Sequence, residues 1–205
     1  MKQFKGYDEA KKAAQYSGAK LPEGAYVCKI AGTRYVPAPE SGKSDIIEVY
    51  FDILEGEYKN FFKTQFDNNP SEDKKWKGKK NIYVPFDDGS EKDEWTKKTF
   101  AKWTNALEDS NKNYTWDWDE TKWKALDVGI VFGTTGTVID GKNITYTEAR
   151  FPCSVDSVRN GKAPKAKFQA KNGYSASPSS IPTATGDEPW MQVAEGDEAD
   201  LPFNL

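Results

Sequence analysis

The sequence predicts a mainly β protein: a small, partly open barrel of five or six strands with a helical insertion, followed by a disordered acidic tail. Apolar and polar residues alternate over residues 47–53, which is the period of a half-buried strand. Asp140-Gly141 is a two-residue hairpin turn between two β-forming segments. A stripe of helical spacing that begins at Trp95 lies between these regions. Strands with one helix inserted before the last hairpin indicate a small barrel.

The first half of the chain is predicted to contain a helical arm and three strands. Small and aromatic residues recur at roughly helical spacing before Gly18, and three β-forming segments follow. These elements are the helical arm at 1–20, the strands at 25–31, 47–53 and 58–66, and a lysine-rich loop at 67–90. The three strands are predicted to form an antiparallel meander.

The second half is predicted to contain one helix and a hairpin. Ser90, followed by Asp93, resembles a helix-capping pattern. The helical stripe that packs on the sheet consists of Trp95, Thr99, Phe100, Trp103 and Leu107. The remaining segments are strands at 128–138 and 143–149 and a closing segment at 151–158. The chain is therefore predicted to consist of an arm at 1–20, a folded domain at 21–160, and a flexible linker with the acidic tail at 161–205.

The composition excludes several chemistries. The chain contains no His, which removes a Ser-His-Asp triad, a Cys-His pair and any His-ligated zinc site. Two cysteines, Cys28 and Cys153, are too few for a four-thiolate metal site or a disulfide scaffold. No signal peptide and no membrane-spanning run are recognisable. A cytoplasmic, non-enzymatic protein without cofactor or metal is the expectation.

The net charge of −3 conceals two regions of opposite sign. Residues 175–205 contain six acidic and no basic residues, whereas residues 1–174 hold 29 basic and 26 acidic residues. An acidic tail on a basic body can occupy a binding groove and be released when a polyanion competes for it.

A lysine run provides the main candidate for nucleic-acid binding. Five lysines surround one Trp between residues 74 and 80. Lysines release the counterions of phosphates, and aromatic faces stack on any base. In an OB-type barrel, long connections frame the oligonucleotide groove. The candidate binding residues are Arg34, Tyr35, Tyr50, Phe61, Lys63, Lys74, Lys75, Trp76, Lys77, Lys79, Lys80 and Tyr83.

Two other patterns are weaker. Gly136 to Lys142 matches the phosphate-loop spacing, but Asn143 follows where Ser or Thr is required, so a hairpin is the better interpretation. Clustered acids are assigned to solvated turns, with a nuclease or glycosidase as the minor alternative. These acids are Asp87, Asp88, Asp117, Asp119 and Glu120.

Three segments resemble known single-stranded DNA-binding proteins. DEADLPF at 197–203 resembles the acidic tip of bacterial and phage single-stranded DNA-binding proteins. LPEGAYV at 21–27 and IEVYFDILEGEYK at 47–59 resemble a phage-encoded OB-fold family of such proteins. The family's usual tail ends in Phe, whereas Asn204 and Leu205 follow here.

The resemblance implies an OB-fold that binds single-stranded DNA with little sequence preference, without enzymatic activity, in the host cytoplasm. It implies roles in phage DNA replication, recombination and repair, in which the tail recruits partner proteins. The recruiting residues would be Asp197, Glu198, Asp200, Leu201, Pro202 and Phe203. A homo-oligomer is compatible with this interpretation. The alternative is a β-barrel carbohydrate-binding or virion-associated module, with Trp76, Trp116, Trp118 and Trp123 as sugar platforms.

Overall fold

Six strands form one sheet in the residues that the structure describes, which are 6–7, 20–39 and 43–175 of this computed structural model. The strands are β1 Gly24–Val36, β2 Ile46–Ile53, β3 Lys79–Tyr83, β4 Asp127–Ile139, β5 Lys142–Cys153 and β6 Gln169–Ala170. Five of them lie in the order β3-β2-β1-β4-β5 with antiparallel neighbours, and β6 pairs in parallel with β4. The predicted mainly β fold class is confirmed, and the sheet is open rather than closed.

β1 is shared by the two halves of the sheet. Its first residues pair with β4, and the stretch from Cys28 to Val36 pairs with β2. The register shifts between Ile30 and Gly32, which marks a bulge that bends the strand. The edges of the sheet are β3 and β5, where Lys80 Nζ donates to the main-chain oxygen of Ala149 at 2.8 Å. A side chain therefore connects the two edges.

Three α-helices and one 3-10 helix accompany the sheet in the described part of the chain. They are α1 Phe61–Asn68, α2 Glu91–Ser110, the 3-10 helix Glu120–Trp123 and α3 Val155–Arg159. The cap predicted for α2 is present, because Ser90 Oγ accepts from the Asp93 N–H at 3.2 Å. Phe100, Trp103 and Leu107 are buried as predicted. Trp95, by contrast, is 46% exposed, so its place in the buried stripe was wrong.

The predicted third strand at 58–66 is wrong, because residues 61–68 form α1. β2 ends at Ile53, residues 54–60 form turns, and Asn60 at the start of the helix adopts a left-handed conformation with φ 58°. The Asp52 carboxylate then accepts from the N–H groups of Phe62 and Lys63, at 2.9 and 3.0 Å. A carboxylate at this position satisfies the free donors of a helix start. The strand beside β2 is β3, which lies within the segment predicted as a loop.

The core lies on the inner side of the sheet. Val49, Phe51 and Ile53 of β2 are buried as the alternation predicts, and they pack with residues of β1, β4 and α2. Phe51 contacts Phe62 of α1 edge to face, with ring centroids 5.7 Å apart. Trp123 of the 3-10 helix is fully buried in the same cluster.

The folded unit extends to Tyr174 instead of ending near residue 160. Strand β6 follows the edge of β4 beyond the end of β1, with Thr135 and Gly136 opposite Gln169 and Ala170. A Cβ on Gly136 would lie 2.7 Å from the Tyr174 ring, so glycine permits this close approach. Residues 161–174 are therefore part of the folded unit. Most of the predicted arm at 1–20 and the tail from residue 176 lie outside the described residues.

Candidate nucleic-acid interface

One side of the β1–β2–β3 sheet carries four of the residues predicted to bind nucleic acid. Residues opposite each other in antiparallel strands point to the same side. The register places Arg34 opposite Glu48 and Tyr50 opposite Lys79. Val49, which lies between these β2 positions, points into the core and has no exposed surface. We define the outer face by Gly32, Arg34, Glu48, Tyr50, Lys79, Asn81 and Tyr83.

Glu48 lies at the centre of the outer face and binds three of the predicted residues. Its carboxylate accepts from Arg34 Nη2 at 2.6 Å, from the Tyr50 hydroxyl at 2.7 Å and from Lys79 Nζ at 2.8 Å. The Glu48 side chain is only 9% exposed, whereas that of Arg34 is 64% exposed. Glu48 therefore holds two cations and one aromatic ring in fixed positions, and the cations keep much of their surface open to solvent.

These contacts keep Glu48 ionised. The hydrogen bond from Lys79, followed by that from Tyr50, lowers the pKa of Glu48 from 4.5 to about 2, against the opposing effect of burial. The hydrogen bond to Glu48 also raises the pKa of Tyr50, which stays a neutral phenol. The three groups Arg34, Lys79 and Glu48 together carry one net positive charge.

Replacing Glu48 with Gln should change how stability depends on pH. The folded pKa lies below the unfolded value, so ionised Glu48 stabilises the folded protein above about pH 4.5, and this contribution is lost as the pH falls towards 2. We expect the wild type to exceed Glu48→Gln in free energy of unfolding at pH 7, with a difference that shrinks by pH 2.5. Urea unfolding of both proteins between pH 2.5 and pH 7 measures this difference in free energy. A difference that is independent of pH would contradict the assignment.

The lysine segment, residues 74–80, leads into β3 at one end of the outer face. Lys75 and Lys77 are exposed. Lys74 places its ammonium over the Phe66 ring of α1, 4.6 Å from the centroid. Lys79 is the first residue of β3, so the lysine segment continues directly into the strand that carries one side of the outer face.

Two residues of the lysine segment point inward. Trp76 Nε1 donates to the main-chain oxygens of Phe51 and Gly78, both at 3.1 Å, and its ring packs against the core. Lys80 lies opposite Val49 on the inner side and donates to the main-chain oxygen of Ala149, and burial of the ammonium lowers its pKa. Both residues hold the segment in place, and neither stands on the outer face.

Three further predicted residues also lie away from the outer face. Phe61 and Lys63 belong to α1 instead of a strand, with Phe61 packed on Phe62 and Lys63 paired with Asp67. Tyr35 lies opposite Ile47 at the end of β1, where its hydroxyl donates to Asp45. The structure thus brings Arg34, Tyr50 and Lys79 together around Glu48 and places Tyr83 on the same face. The other predicted residues belong to the lysine segment, to α1 and to the end of β1.

Sequence reasoning missed the role of Glu48 and the position of Asn81. The alternation of β2 placed Glu48 on the outer side, but its partners on β1 and β3 depend on strand register, which local sequence does not specify. Asn81 lies opposite Glu48 and is exposed. It was missed because residues 79–83 were predicted as a loop.

The acidic residues that offered a metal-dependent alternative are engaged in turns and caps. Asp87 pairs with Lys97 at 2.6 Å, and Asp88 accepts from the Ser90 N–H at 2.9 Å. Asp119 accepts from the Thr121 N–H at the start of the 3-10 helix. Within the described residues, no group of three or more acidic or cysteine side chains is arranged to hold a metal ion.

Comparison with known proteins provides no family assignment. The sequence matches no protein-family model, and no curated protein is significantly similar to it. The resemblance to phage single-stranded DNA-binding proteins therefore stays a prediction. In residues 6–7, 20–39 and 43–175, no helix has the length and apolar character needed to cross a membrane.

Proposed function

We propose that this protein binds single-stranded DNA with little sequence preference, without catalysing a reaction, along the outer face and the lysine segment. The observation that supports the proposal is that Tyr50 and two cations are held together by one carboxylate on the outer face. Arg34 and Lys79 both bind the Glu48 carboxylate that also fixes the Tyr50 hydroxyl. Cations beside an aromatic ring match the alternation of phosphates and bases in a single strand.

The charge distribution favours contacts with bases at the centre and with phosphates at the end of this surface. Glu48 reduces the charge at the centre, whereas Lys74, Lys75 and Lys77 follow one another with no acid between residues 74 and 80. Phosphate contacts would therefore be most frequent at the lysine segment, and a base would approach Tyr50. Stacking of this kind accepts every base because each one has a π-face.

The proposed biological role is protection of single strands during phage DNA replication, recombination and repair. The acidic tail would recruit partner proteins through residues 197–203, which lie outside the described residues. Both parts of this role rest on the resemblance given above.

The carbohydrate alternative finds less support in the tryptophans. Trp123 has no exposed surface, and the indole N–H of Trp76 donates to main-chain oxygens. Trp116 is half-buried, and Trp118 is 82% exposed. Of the four candidate sugar platforms, Trp118 alone stands out from the surface.

A titration of the intrinsic tryptophan fluorescence tests the proposal. We expect oligo(dT) and oligo(dA) of equal length to quench the emission with affinities within about tenfold of each other, because stacking and phosphate contacts tolerate any sequence. A duplex of the same length should bind more weakly, and a soluble glycan should have no effect. Preferential binding of duplex DNA or of the glycan would refute the proposal.

A further inference from the structure

A second lysine-rich segment lies along β4. Residues 162–171, which we call the basic strip, contain four lysines and no acidic residue. The exposure of the strip repeats every third residue: Ala163, Ala166 and Gln169 are half-buried, and the residues between them are exposed. Its small residues therefore face the protein, and its lysines are open to solvent.

Contacts with β4 hold the basic strip in place. Ala166 lies over Gly133, where an added Cβ would be only 2.5 Å from the Ala166 methyl group. Further along the strip, β6 pairs with β4, and the Lys171 N–H donates to the main-chain oxygen of Gly136 at 2.9 Å. A surface that is fixed in this way loses little conformational freedom when a ligand binds.

Three lysines of the basic strip have no acidic partner among the described residues. Lys162, Lys165 and Lys167 take part in no ion pair there, and all three are exposed. Lys171 pairs with Glu148 at 3.1 Å, but that carboxylate also accepts from Arg150 at 3.0 Å. The strip thus offers three free ammonium groups, which is the chemistry that releases counterions from phosphates.

An exposed aromatic ring accompanies these lysines. Phe168 directly follows Lys167 and is 45% exposed. Its ring packs against Tyr174 with centroids 5.6 Å apart, over Gly136, which has no side chain to displace it. Free ammonium groups beside an open ring are the two features that bind single strands without sequence preference.

The basic strip lies on the same side of the sheet as the outer face. Asp52, Lys29 and Asp127 are neighbours on β2, β1 and β4, and Lys29 pairs with Asp127 at 3.0 Å. Because side chains alternate along a strand, Tyr50 points to the side of Asp52, and Gly133 faces the side of Asp127. The part of the strip that covers Gly133 is therefore on the side of Tyr50.

One DNA strand can reach both surfaces. Gly32 lies opposite Tyr50 of the outer face, and Gly24 lies opposite Phe132, the neighbour of Gly133. Gly24 and Gly32 are eight residues apart on β1, so at most about 26 Å separates these two positions. An oligonucleotide of about 25 residues is longer than this distance even at about 3.4 Å per nucleotide.

We infer that the basic strip is a second binding surface for single-stranded DNA, in which Lys162, Lys165 and Lys167 contact phosphates and Phe168 stacks on a base. This inference rests on the proposed function and adds a surface on β4 to the one on β1, β2 and β3. A strand that is long enough occupies both surfaces.

The test measures the binding of labelled oligo(dT) of about 25 nucleotides to the full chain by fluorescence anisotropy at several salt concentrations. Replacing Lys162, Lys165 and Lys167 together by Gln should weaken binding about 100-fold at 0.1 M salt. It should also reduce the slope of log K against log salt by about 2, since each phosphate contact contributes about 0.7. Phe168→Leu keeps an apolar side chain over Gly136 and should weaken binding about fivefold or more without changing the slope.

A control variant removes the same charge from another part of the surface. It replaces Lys98, Lys102 and Lys112, which are exposed on α2 and just after it, by Gln. This control should lose far less affinity than the strip variant. Equal losses in the two variants would indicate a diffuse attraction and would overturn the inference. Thermal unfolding verifies that each variant is folded.

Other results would also overturn the inference. A strip variant with a Kd within twofold of wild type and the same slope shows that no phosphate is bound there, and the proposed function survives if the wild type binds oligo(dT). Tighter binding by the strip variant would assign these lysines to the acidic tail as a competitor of DNA. Wild-type affinity in Phe168→Leu would show that no base stacks on this ring. A wild type that binds no single strand would refute both the inference and the proposed function.

Discussion

Replacing Lys74, Lys75 and Lys77 together by Gln is expected to weaken single-strand binding about 100-fold at 0.1 M salt. Each phosphate contact on a single strand contributes about 0.7 to the slope of log K against log salt. Loss of three contacts should therefore reduce the slope by about 2. The fold should persist, because Lys75 and Lys77 are exposed and the anchoring contacts of Trp76 remain. Fluorescence anisotropy with oligo(dT) measures both quantities.

A matched variant controls for net charge. Lys98, Lys102 and Lys112 are exposed on α2 and just after it, and their replacement by Gln removes the same charge elsewhere. This control should lower the affinity far less than the lysine-segment variant does. Equal losses in the two variants would indicate a diffuse electrostatic attraction and would contradict a site at the lysine segment.

Gly78→Ala is expected to destabilise the protein by about 3 kcal/mol, a large effect for one methyl group. A Cβ at this position would lie 2.2 Å from the Phe51 oxygen and 2.7 Å from the Phe62 ring. The Gly78 oxygen also accepts from the Phe51 N–H at 2.8 Å, so β2 and the lysine segment cannot separate without losing that bond. Chemical denaturation at pH 7 gives the free energy of unfolding.

Gly32→Ala provides the comparison, because no heavy atom lies within 4 Å of a Cβ built there. Its stability should stay within about 0.5 kcal/mol of wild type, as for most surface substitutions. If Gly78→Ala lowers the free energy of unfolding by less than about 1 kcal/mol, the close packing of the lysine segment against β2 is contradicted.

Residues whose neighbours are close in sequence were predicted well. The alternation of β2, the cap at Ser90 and the turn at Asp140-Gly141 are local patterns, and each corresponds to the structure. Asp140 and Gly141 both have positive φ, which a tight hairpin turn of this kind requires. Local patterns sufficed for most of β1, β2, α2, β4 and β5.

The errors arose where a distant partner decides the structure. Residues 58–66 are rich in aromatic residues and favour a strand locally, but the Asp52 carboxylate on the preceding strand caps a helix there. The short strand β3 was not predicted because its lysine-rich sequence does not favour a strand locally. Its pairing with β2 stabilises it. For the same reason, the inward direction of Lys80 and the contacts of Trp76 followed only from strand register.

The candidate site was predicted in part. Arg34, Tyr50 and Lys79 were all chosen from the sequence, and the structure brings them together. That Glu48 joins them could not be deduced, because the register of three strands determines it. The exposure of Trp118 could not be predicted either. Trp116 and Trp123 are also tryptophans in the same stretch of sequence, and both are far less exposed than Trp118.

The salt dependence of wild-type binding to oligo(dT) tests the central claim most directly. The proposed surface contains five cations that are at least partly exposed: Arg34, Lys74, Lys75, Lys77 and Lys79. If each contacts one phosphate, log K should fall against log salt with a slope of about −3.5. An affinity that does not change between 0.05 and 0.5 M salt, or no binding at the lowest concentration, would contradict the account.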